Sequence, residues 1–142
     1  MIARSAPLSA VVALGLVLAG ATVGRSSAQE PAAPAPRTTL NGVYTLAQAD
    51  KGEEIYFGAC VNCHPKGTYA GESFKANWAG RPLSDLYDWV KTKMPNSDPG
   101  TLTANQSVQV VAYILQQNSL PAGKTPMPAD RTVLSTIKIQ LK

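Results

Sequence analysis

The stretch that decides the fold is Cys60-Val61-Asn62-Cys63-His64, which holds both cysteines and the only histidine of the 142-residue chain. Two cysteines three positions apart at a helix end can reach the two vinyl groups on one edge of a haem. The histidine that follows then directs its imidazole at the iron. This spacing is the C-x-x-C-H pattern of c-type haem attachment. It predicts one haem c, held covalently by Cys60 and Cys63, with His64 as the proximal ligand of the iron.

Three other sites can be built from the same residues. A disulfide between Cys60 and Cys63 is possible in an oxidising compartment. A thioredoxin-like redox pair needs a strand-helix-strand context, which the sequence does not offer. A zinc site needs a fourth ligand, and only carboxylates are left to supply it, because the chain has no further cysteine or histidine. Export, the cysteine count and the adjacent histidine together favour haem.

Residues 1–28 have the composition of a secretory signal peptide. A single charge, Arg4, precedes an apolar run from Leu8 to Leu18, and Ser26-Ser27-Ala28 supplies the small residues that a signal peptidase reads. We expect cleavage after Ala28 and a periplasmic protein. The alternative is an uncleaved segment that anchors the protein to a membrane, for which the apolar core is short.

A proline- and alanine-rich segment at residues 29–42 follows, and its composition favours an extended, solvated linker. The folded domain is expected at residues 43–142, a size at which a bound cofactor adds usefully to a limited core. Removal of Arg4 and Arg25 with the signal reduces the 13 basic residues to 11, against 9 acidic ones. No run of basic residues exists, so the sequence does not indicate a nucleic-acid partner.

Apolar residues at helical spacing predict three main helices. The first runs from about Asp50 to Cys60, with Asp50 as its cap, and the second from about Pro82 to Lys93. The third runs from about Thr103 to Asn118 and begins with a capping box. Strand signals are nearly absent, and only the tail at residues 132–141 is ambiguous. The domain is therefore expected to be all-α, with three main helices and long loops around one covalently bound haem.

The chain resembles the class I c-type cytochromes, the small monohaem cytochromes c of bacteria, over residues 46–123. In that family an N-terminal helix ends in the haem motif, as residues 50–64 do here. The family's glycine and aromatic at the contact between the first and last helices are similar to Gly52 and Tyr56, and its partner aromatic is similar to Tyr113. The resemblance implies a cytochrome c-like fold.

The segment Met94-Pro95-Asn96-Ser97-Asp98-Pro99-Gly100-Thr101-Leu102 is similar to the methionine loop of bacterial members of this family. There a methionine followed by proline is the sixth ligand of the iron, which implies that His64 and Met94 are the two axial ligands. The alternative for Met94 is a loop residue or core filler. Met127 is its only rival once Met1 is removed, and Met127 is expected on the surface or in packing.

Several residues outside the motif have two interpretations each. Trp78 and Arg81 flank a short loop and carry N–H donors that suit a haem propionate, although Trp78 also suits the core. Trp89 lies at helical spacing with neighbouring apolar residues, which predicts a core position. Four lysines either surround the haem edge and steer an acidic partner or are simply solvated: Lys66, Lys75, Lys91 and Lys93.

The expected function is electron transport by a periplasmic carrier. One haem iron would cycle between its ferrous and ferric states and pass single electrons between a dehydrogenase and a downstream acceptor. Six-coordinate iron leaves no open site, so the protein is not expected to be an enzyme, and redox partner proteins would dock transiently at the haem edge. One alternative is a cytochrome subunit bound permanently to a periplasmic dehydrogenase or sulfur-oxidising enzyme. Another is a gas-binding or peroxidatic haem, against which stands the absence of a second histidine.

Overall fold

The computed structural model describes residues 37–142, so the predicted signal segment at 1–28 and the first part of the predicted linker lie outside the described residues. Within this range, helices account for most of the regular structure, and the predicted all-α class is confirmed. The elements are β1 (Arg37–Thr38), a 3₁₀ helix (Thr39–Asn41), α1 (Leu46–Ala59), α2 (Gly71–Trp78), α3 (Leu83–Lys93), α4 (Ala104–Gln117), α5 (Arg131–Ser135) and β2 (Ile137–Lys138).

Helix α1 begins one turn earlier than predicted. The Thr45 hydroxyl accepts a hydrogen bond from the Gln48 backbone N–H at 3.3 Å, and the Gln48 side chain accepts one from the Thr45 N–H at 3.2 Å. This capping box satisfies two N–H groups that a helix start otherwise leaves without partners. Asp50, predicted as the cap, therefore lies inside the helix. The capping box predicted for α4, formed by Thr103 and Gln106, is confirmed.

Helices α1 and α4 cross at the predicted contact. A Cβ built on Gly52 would fall on the backbone of Gln109, so the two helices approach closely only because Gly52 has no side chain. One turn later, the rings of Tyr56 and Tyr113 lie 5.3 Å apart between their centroids, inclined by 56°. Both tyrosines are buried. The crossing therefore fixes the end of α1, from which the haem motif continues.

Helix α2 was not predicted. It carries only two apolar residues at helical spacing, Phe74 and Trp78, and both are buried. Its first residue, Gly71, has a positive φ of 67°, and no side chain caps the N-terminus. A single pair of apolar residues is too short a pattern to distinguish a helix from a loop. Part of the segment after the haem motif, which was predicted to be a long loop, is therefore a helix.

The C-terminal tail packs against α3 and against the first residues that the structure describes. Helix α5 packs on α3, and the buried residues Leu134, Ile137 and Ile139 extend the core. Strand β2 pairs in parallel with β1, and the buried Thr39 hydroxyl exchanges hydrogen bonds with the main chain of Gln140 at 2.7 and 2.9 Å. Residues 37–41, which the composition assigns to the linker, are thus packed against the tail.

Among residues 37–142, no helix is both long enough and apolar enough to cross a bilayer.

Candidate haem-binding site

The haem motif forms a tight turn at the end of α1. The backbone N–H of Cys60 donates to the Tyr56 carbonyl at 2.8 Å, which closes the helix. The N–H groups of Cys63 and His64 then donate to the Cys60 carbonyl at 3.1 and 2.8 Å. Cys63 is exposed and Cys60 is half-buried, and burial raises the pKa of the Cys60 thiol above its ordinary value. The turn thus gathers both cysteines beside the histidine.

A hydrogen bond from the Tyr56 side chain holds the main chain of His64. The Tyr56 hydroxyl donates to the His64 carbonyl at 2.6 Å, and its side chain is 1% exposed. Burial, followed by the nearby Tyr69 and Cys60, raises the pKa of Tyr56 to about 12, so this hydroxyl keeps its proton and remains a donor at neutral pH. The helix crossing thus sets the position of the predicted axial ligand.

Met94 is the first residue after α3 and begins a loop that is closed by its own hydrogen bonds. The Gly100 N–H donates to the Met94 carbonyl at 3.4 Å, and the Lys91 ammonium donates to the Gly100 carbonyl at 3.2 Å. Gly100 has a φ of 84°, which a residue with a side chain rarely adopts. The two hydrogen bonds of Gly100, with Met94 and with Lys91, hold the start of the loop in place.

His64 and Met94 line the same three adjoining cavities. The largest has a volume of about 480 Å³, and its wall includes Tyr69, Phe74 and Trp78. A cavity of about 180 Å³ adjoins it at the motif and is lined by Cys60 and Cys63. A narrow cavity of about 30 Å³ reaches the core, and its lining includes the apolar side chains of Leu86 and Val90 from α3 and of Val110 and Ile114 from α4.

This arrangement fits a haem. The volume and the largely apolar lining are those of a cofactor site, which typically measures about 300–1,000 Å³. An imidazole and a thioether share the cavity, and both are established axial ligands of haem iron. The two thiols line the adjoining cavity of about 180 Å³ together with His64 and Met94, which is where covalent attachment requires them. The donor set and the shape of the cavity therefore agree with the cofactor that the motif predicts.

A family model described as "Cytochrome C oxidase, cbb3-type, subunit III" matches residues 47–114. The matched stretch runs from the first turn of α1 into α4 and contains the haem motif and Met94. Residues 47–114, just under half of the chain, are therefore similar to a c-type cytochrome domain. Curated proteins and solved structures yield no match. The predicted recognition as a c-type cytochrome is thereby confirmed, and its assignment to class I stays a prediction.

Trp78 and Arg81 both lie on the wall of the cavity of about 480 Å³. Trp78 is 9% exposed, and the Arg81 guanidinium lies over its ring at 4.7 Å from the centroid, within the range of a cation–π contact. The guanidinium also donates two hydrogen bonds to one carboxylate oxygen of Asp85, at 3.0 and 2.9 Å. The contact of these residues with a haem propionate stays a prediction, and Asp85 would compete for the arginine.

Trp89 does not occupy the predicted core position. Its side chain is 48% exposed, and it lines the largest and the narrowest of the three cavities. Leu86 and Val90 on the same helix are buried, as predicted. Helical spacing locates an apolar stripe, but it does not distinguish a side chain within the core from one at the edge of a cavity. Trp89 therefore belongs with the residues of the site.

Met127 is buried in packing and is absent from the lining of all three cavities. Its backbone N–H donates to the Gln48 side chain at 2.8 Å, and its carbonyl accepts from the same side chain at 2.8 Å. Gln48 thus joins the tail to the start of α1. Of the two expectations for Met127, surface and packing, the second is confirmed.

The four lysines differ in their surroundings. Lys66 lies 3.6 Å from a carboxylate oxygen of Glu53, and Lys75 lies 3.8 Å from one of Glu72. Lys91 is used within the methionine loop, and Lys93 is exposed at the end of α3. Exposed ion pairs contribute little to stability, so Lys66 and Lys75 remain available to a partner. Their role in steering a partner stays a prediction.

Tyr69 is the site residue that the sequence pattern missed. Its hydroxyl lies 3.3 Å from both ring nitrogens of His64, and the two ring centroids are 5.1 Å apart. No motif marks a tyrosine five residues after the histidine. Only the course of the chain between His64 and α2 brings the two side chains together.

Proposed function

We propose that the protein is a periplasmic carrier that passes single electrons between a dehydrogenase and a downstream acceptor through one haem c. A cytochrome c domain implies haem-based electron transfer, and the finer role is supported by one observation above all. His64 and Met94, an imidazole and a thioether, line the same cavities. Two such ligands would occupy both axial positions and leave no place for a substrate.

The chain's own residues would hold and shield the cofactor. Cys60 and Cys63 would bind it covalently, and His64 and Met94 would ligate its iron. Haem c, when bound, supplies the one-electron exchange between ferrous and ferric iron. Phe74 and the apolar residues of the narrow cavity exclude water from its surroundings, which favours a stable reduced state. A rigid site of this kind exchanges electrons without rearranging bonds.

Partner docking would use the surface around the motif. Cys63 is exposed, and so are Phe57 and Ala59 near the end of α1. Phe57 presents a large apolar side chain to solvent, with 46% of its surface exposed. A small apolar contact with lysines nearby suits a transient redox complex, because such complexes bury little surface.

A second candidate is a cytochrome subunit held permanently in an oxidoreductase complex. The family model that matches residues 47–114 is described as an oxidase subunit, which is the observation in its favour. Purification from the source cells at low and at high salt separates the two functions. A carrier is released as a single chain at both, whereas a subunit remains with its complex when salt is raised.

The carrier function is tested on the mature holoprotein. We expect a mass that corresponds to residues 29–142 plus one haem, a reversible one-electron titration, and no binding of carbon monoxide to the reduced form. Rapid carbon monoxide binding would indicate an open axial position and a gas-binding or peroxidatic haem. A mass that retains residues 1–28 would indicate a membrane anchor.

A further inference from the structure

Helix α3 leaves one large apolar side chain uncovered. Trp89 is 48% exposed, although four other apolar residues of the same helix are buried in the core: Leu83, Leu86, Tyr87 and Val90. On another side of the helix, the Arg131 guanidinium of the tail donates to the Asp88 carboxylate at 2.8 Å. The helix is thus held both by the core and by the tail, and Trp89 cannot turn inward without disturbing these contacts.

The position of Trp89 differs from that of the other exposed apolar residues. Among residues 37–142, the large apolar side chains that are exposed are Leu46, Phe57 and Trp89. Leu46 and Phe57 line none of the three cavities of the site, whereas Trp89 lines two of them, together with His64 and Met94. Apolar surface that is exposed at a binding cavity marks a place that a ligand covers. The partner of the Trp89 indole is therefore sought in the occupant of the cavity.

We propose that Trp89 contacts the haem and closes the Met94 side of the cavity against water. The proposal rests on the proposed haem-binding function of this cavity. Trp89 lies on α3 and Met94 directly follows that helix, so the indole and the thioether reach the cavity from one rigid element. Trp78, the other tryptophan of the wall, is 9% exposed and lies under the Arg81 guanidinium, so protein atoms already cover it. Trp89 is the tryptophan whose surface is left for the cofactor.

Exclusion of water has a predictable effect on the reduction potential. The ferric state carries one positive charge more than the ferrous state, and water stabilises the additional charge. Apolar surroundings that limit solvent access therefore raise the potential of a metal site. Truncation of Trp89 should admit water and shift the redox equilibrium towards ferric iron. Met94 should remain in place, because its loop is closed by the hydrogen bonds of Gly100 and Lys91, which do not involve Trp89.

The test compares Trp89→Ala with Leu46→Ala in the mature holoprotein. Both side chains are exposed, by 48% and 59%, so neither truncation should prevent folding. We expect Trp89→Ala to shift the redox equilibrium at least threefold towards ferric iron, about 30 mV at roughly 59 mV per tenfold. Leu46→Ala should leave the potential unchanged, and Trp89→Phe, which keeps an apolar ring, should retain most of the wild-type potential. An unchanged potential in Trp89→Ala, or an equal shift in Leu46→Ala, overturns the proposal.

A second measurement separates the entry of water from the loss of a ligand. The weak absorption band of a sulfur–iron bond in the ferric form should persist in Trp89→Ala. Disappearance of this band would show that the indole holds Met94 on the iron, which overturns the proposed role in excluding water.

A third measurement needs no variant. In the proton NMR spectrum of the reduced wild-type protein, the Trp89 ring should show nuclear Overhauser effects to protons of the haem. Effects to protein side chains alone contradict the contact. If the chain binds no haem covalently, the proposed function fails, and this inference fails with it. If haem is bound and Trp89→Ala leaves the potential unchanged, the proposed function stands and this inference fails alone.

Discussion

Gly52 lies so close to Gln109 that a Cβ on the glycine would overlap the Gln109 carbonyl oxygen. The obstructing atoms belong to the backbone of α4, which cannot move aside as a flexible side chain could. The crossing of α1 and α4 therefore depends on one missing methyl group. Because the haem motif continues from α1, the position of His64 depends on the same contact.

Replacement of Gly52 should destabilise the holoprotein. Gly52→Ala forces the helices apart, and we expect a loss of about 1–3 kcal/mol in the free energy of unfolding, as for other overpacked sites. Gly58→Ala is the matched control, because Gly58 lies on the same helix and a Cβ there meets nothing within 4 Å. The control should gain about 0.5–1 kcal/mol from reduced backbone entropy. Denaturant unfolding measures both, and equal stabilities would contradict the close crossing.

Covalent attachment should require both cysteines. Protein matured in a c-type system should keep its haem after denaturation and acid acetone, and its mass should exceed that of the polypeptide by one haem. Cys60→Ser with Cys63→Ser should release the haem into acid acetone. A wild-type protein without bound haem and without reactive thiols would instead indicate the disulfide.

Loss of Met94 should change the electronic properties of the site, whereas loss of Met127 should change stability. Met94→Ala removes a soft ligand that favours ferrous iron, so the potential should fall by about 0.1 V, within the roughly 0.8 V span of axial ligand effects. This corresponds to about fifty-fold in the redox equilibrium at roughly 59 mV per tenfold. The reduced variant should also bind carbon monoxide.

Met127→Ala is the control for this experiment. Its side chain is 2% exposed, so truncation should cost about 2–5 kcal/mol of stability through the cavity that it leaves. Its potential should equal that of the wild type. A fall in potential in Met127→Ala, with none in Met94→Ala, would show that the tail supplies the ligand.

Thr39→Val should loosen the tail. The substitution keeps the shape of the side chain but leaves the N–H and the carbonyl of Gln140 without the hydroxyl that both use. Both hydrogen bonds are part-buried, so we expect a loss of about 1 kcal/mol, the low end of the range for groups left unpaired. Thr92→Val on the exposed face of α3 is the control, and it should remain within about 0.5 kcal/mol of the wild type. Hydrogen exchange at residues 137–140 provides a local readout, and unchanged protection would argue against this anchor.

The parts of the site that could be predicted are formed by residues that lie close together in the sequence or that a family resemblance indicates. Cys60, Cys63 and His64 are adjacent in sequence, and the helix crossing at Gly52 was accessible through a family resemblance. The proximity of Tyr69 to His64 could not be predicted, because the loop that carries Tyr69 is held by Asn118, which lies 49 residues further on. The prediction of a core position for Trp89 was wrong for a related reason. Its spacing along the helix does not show that its neighbours in space leave a cavity beside it.

The packing of the tail could not be predicted because its partners lie about a hundred positions away in the sequence. Its β-branched residues suggested a strand, but the partner, β1, lies about a hundred positions earlier within a segment whose prolines and alanines indicate a linker. Helix α2 was missed because two apolar residues do not establish a period. Long-range pairing and short elements are the features that local patterns describe least well.

The parallel pairing of Arg37 with Ile137 also has a use in protein engineering. Because the two strands are short and run in parallel, the chain enters this pair at one end and leaves it at the other, so insertion of the domain into a surface loop of a host protein needs only a short linker to close the difference. Inserted in this way, the domain would give each molecule of a redox enzyme one electron carrier within the same polypeptide.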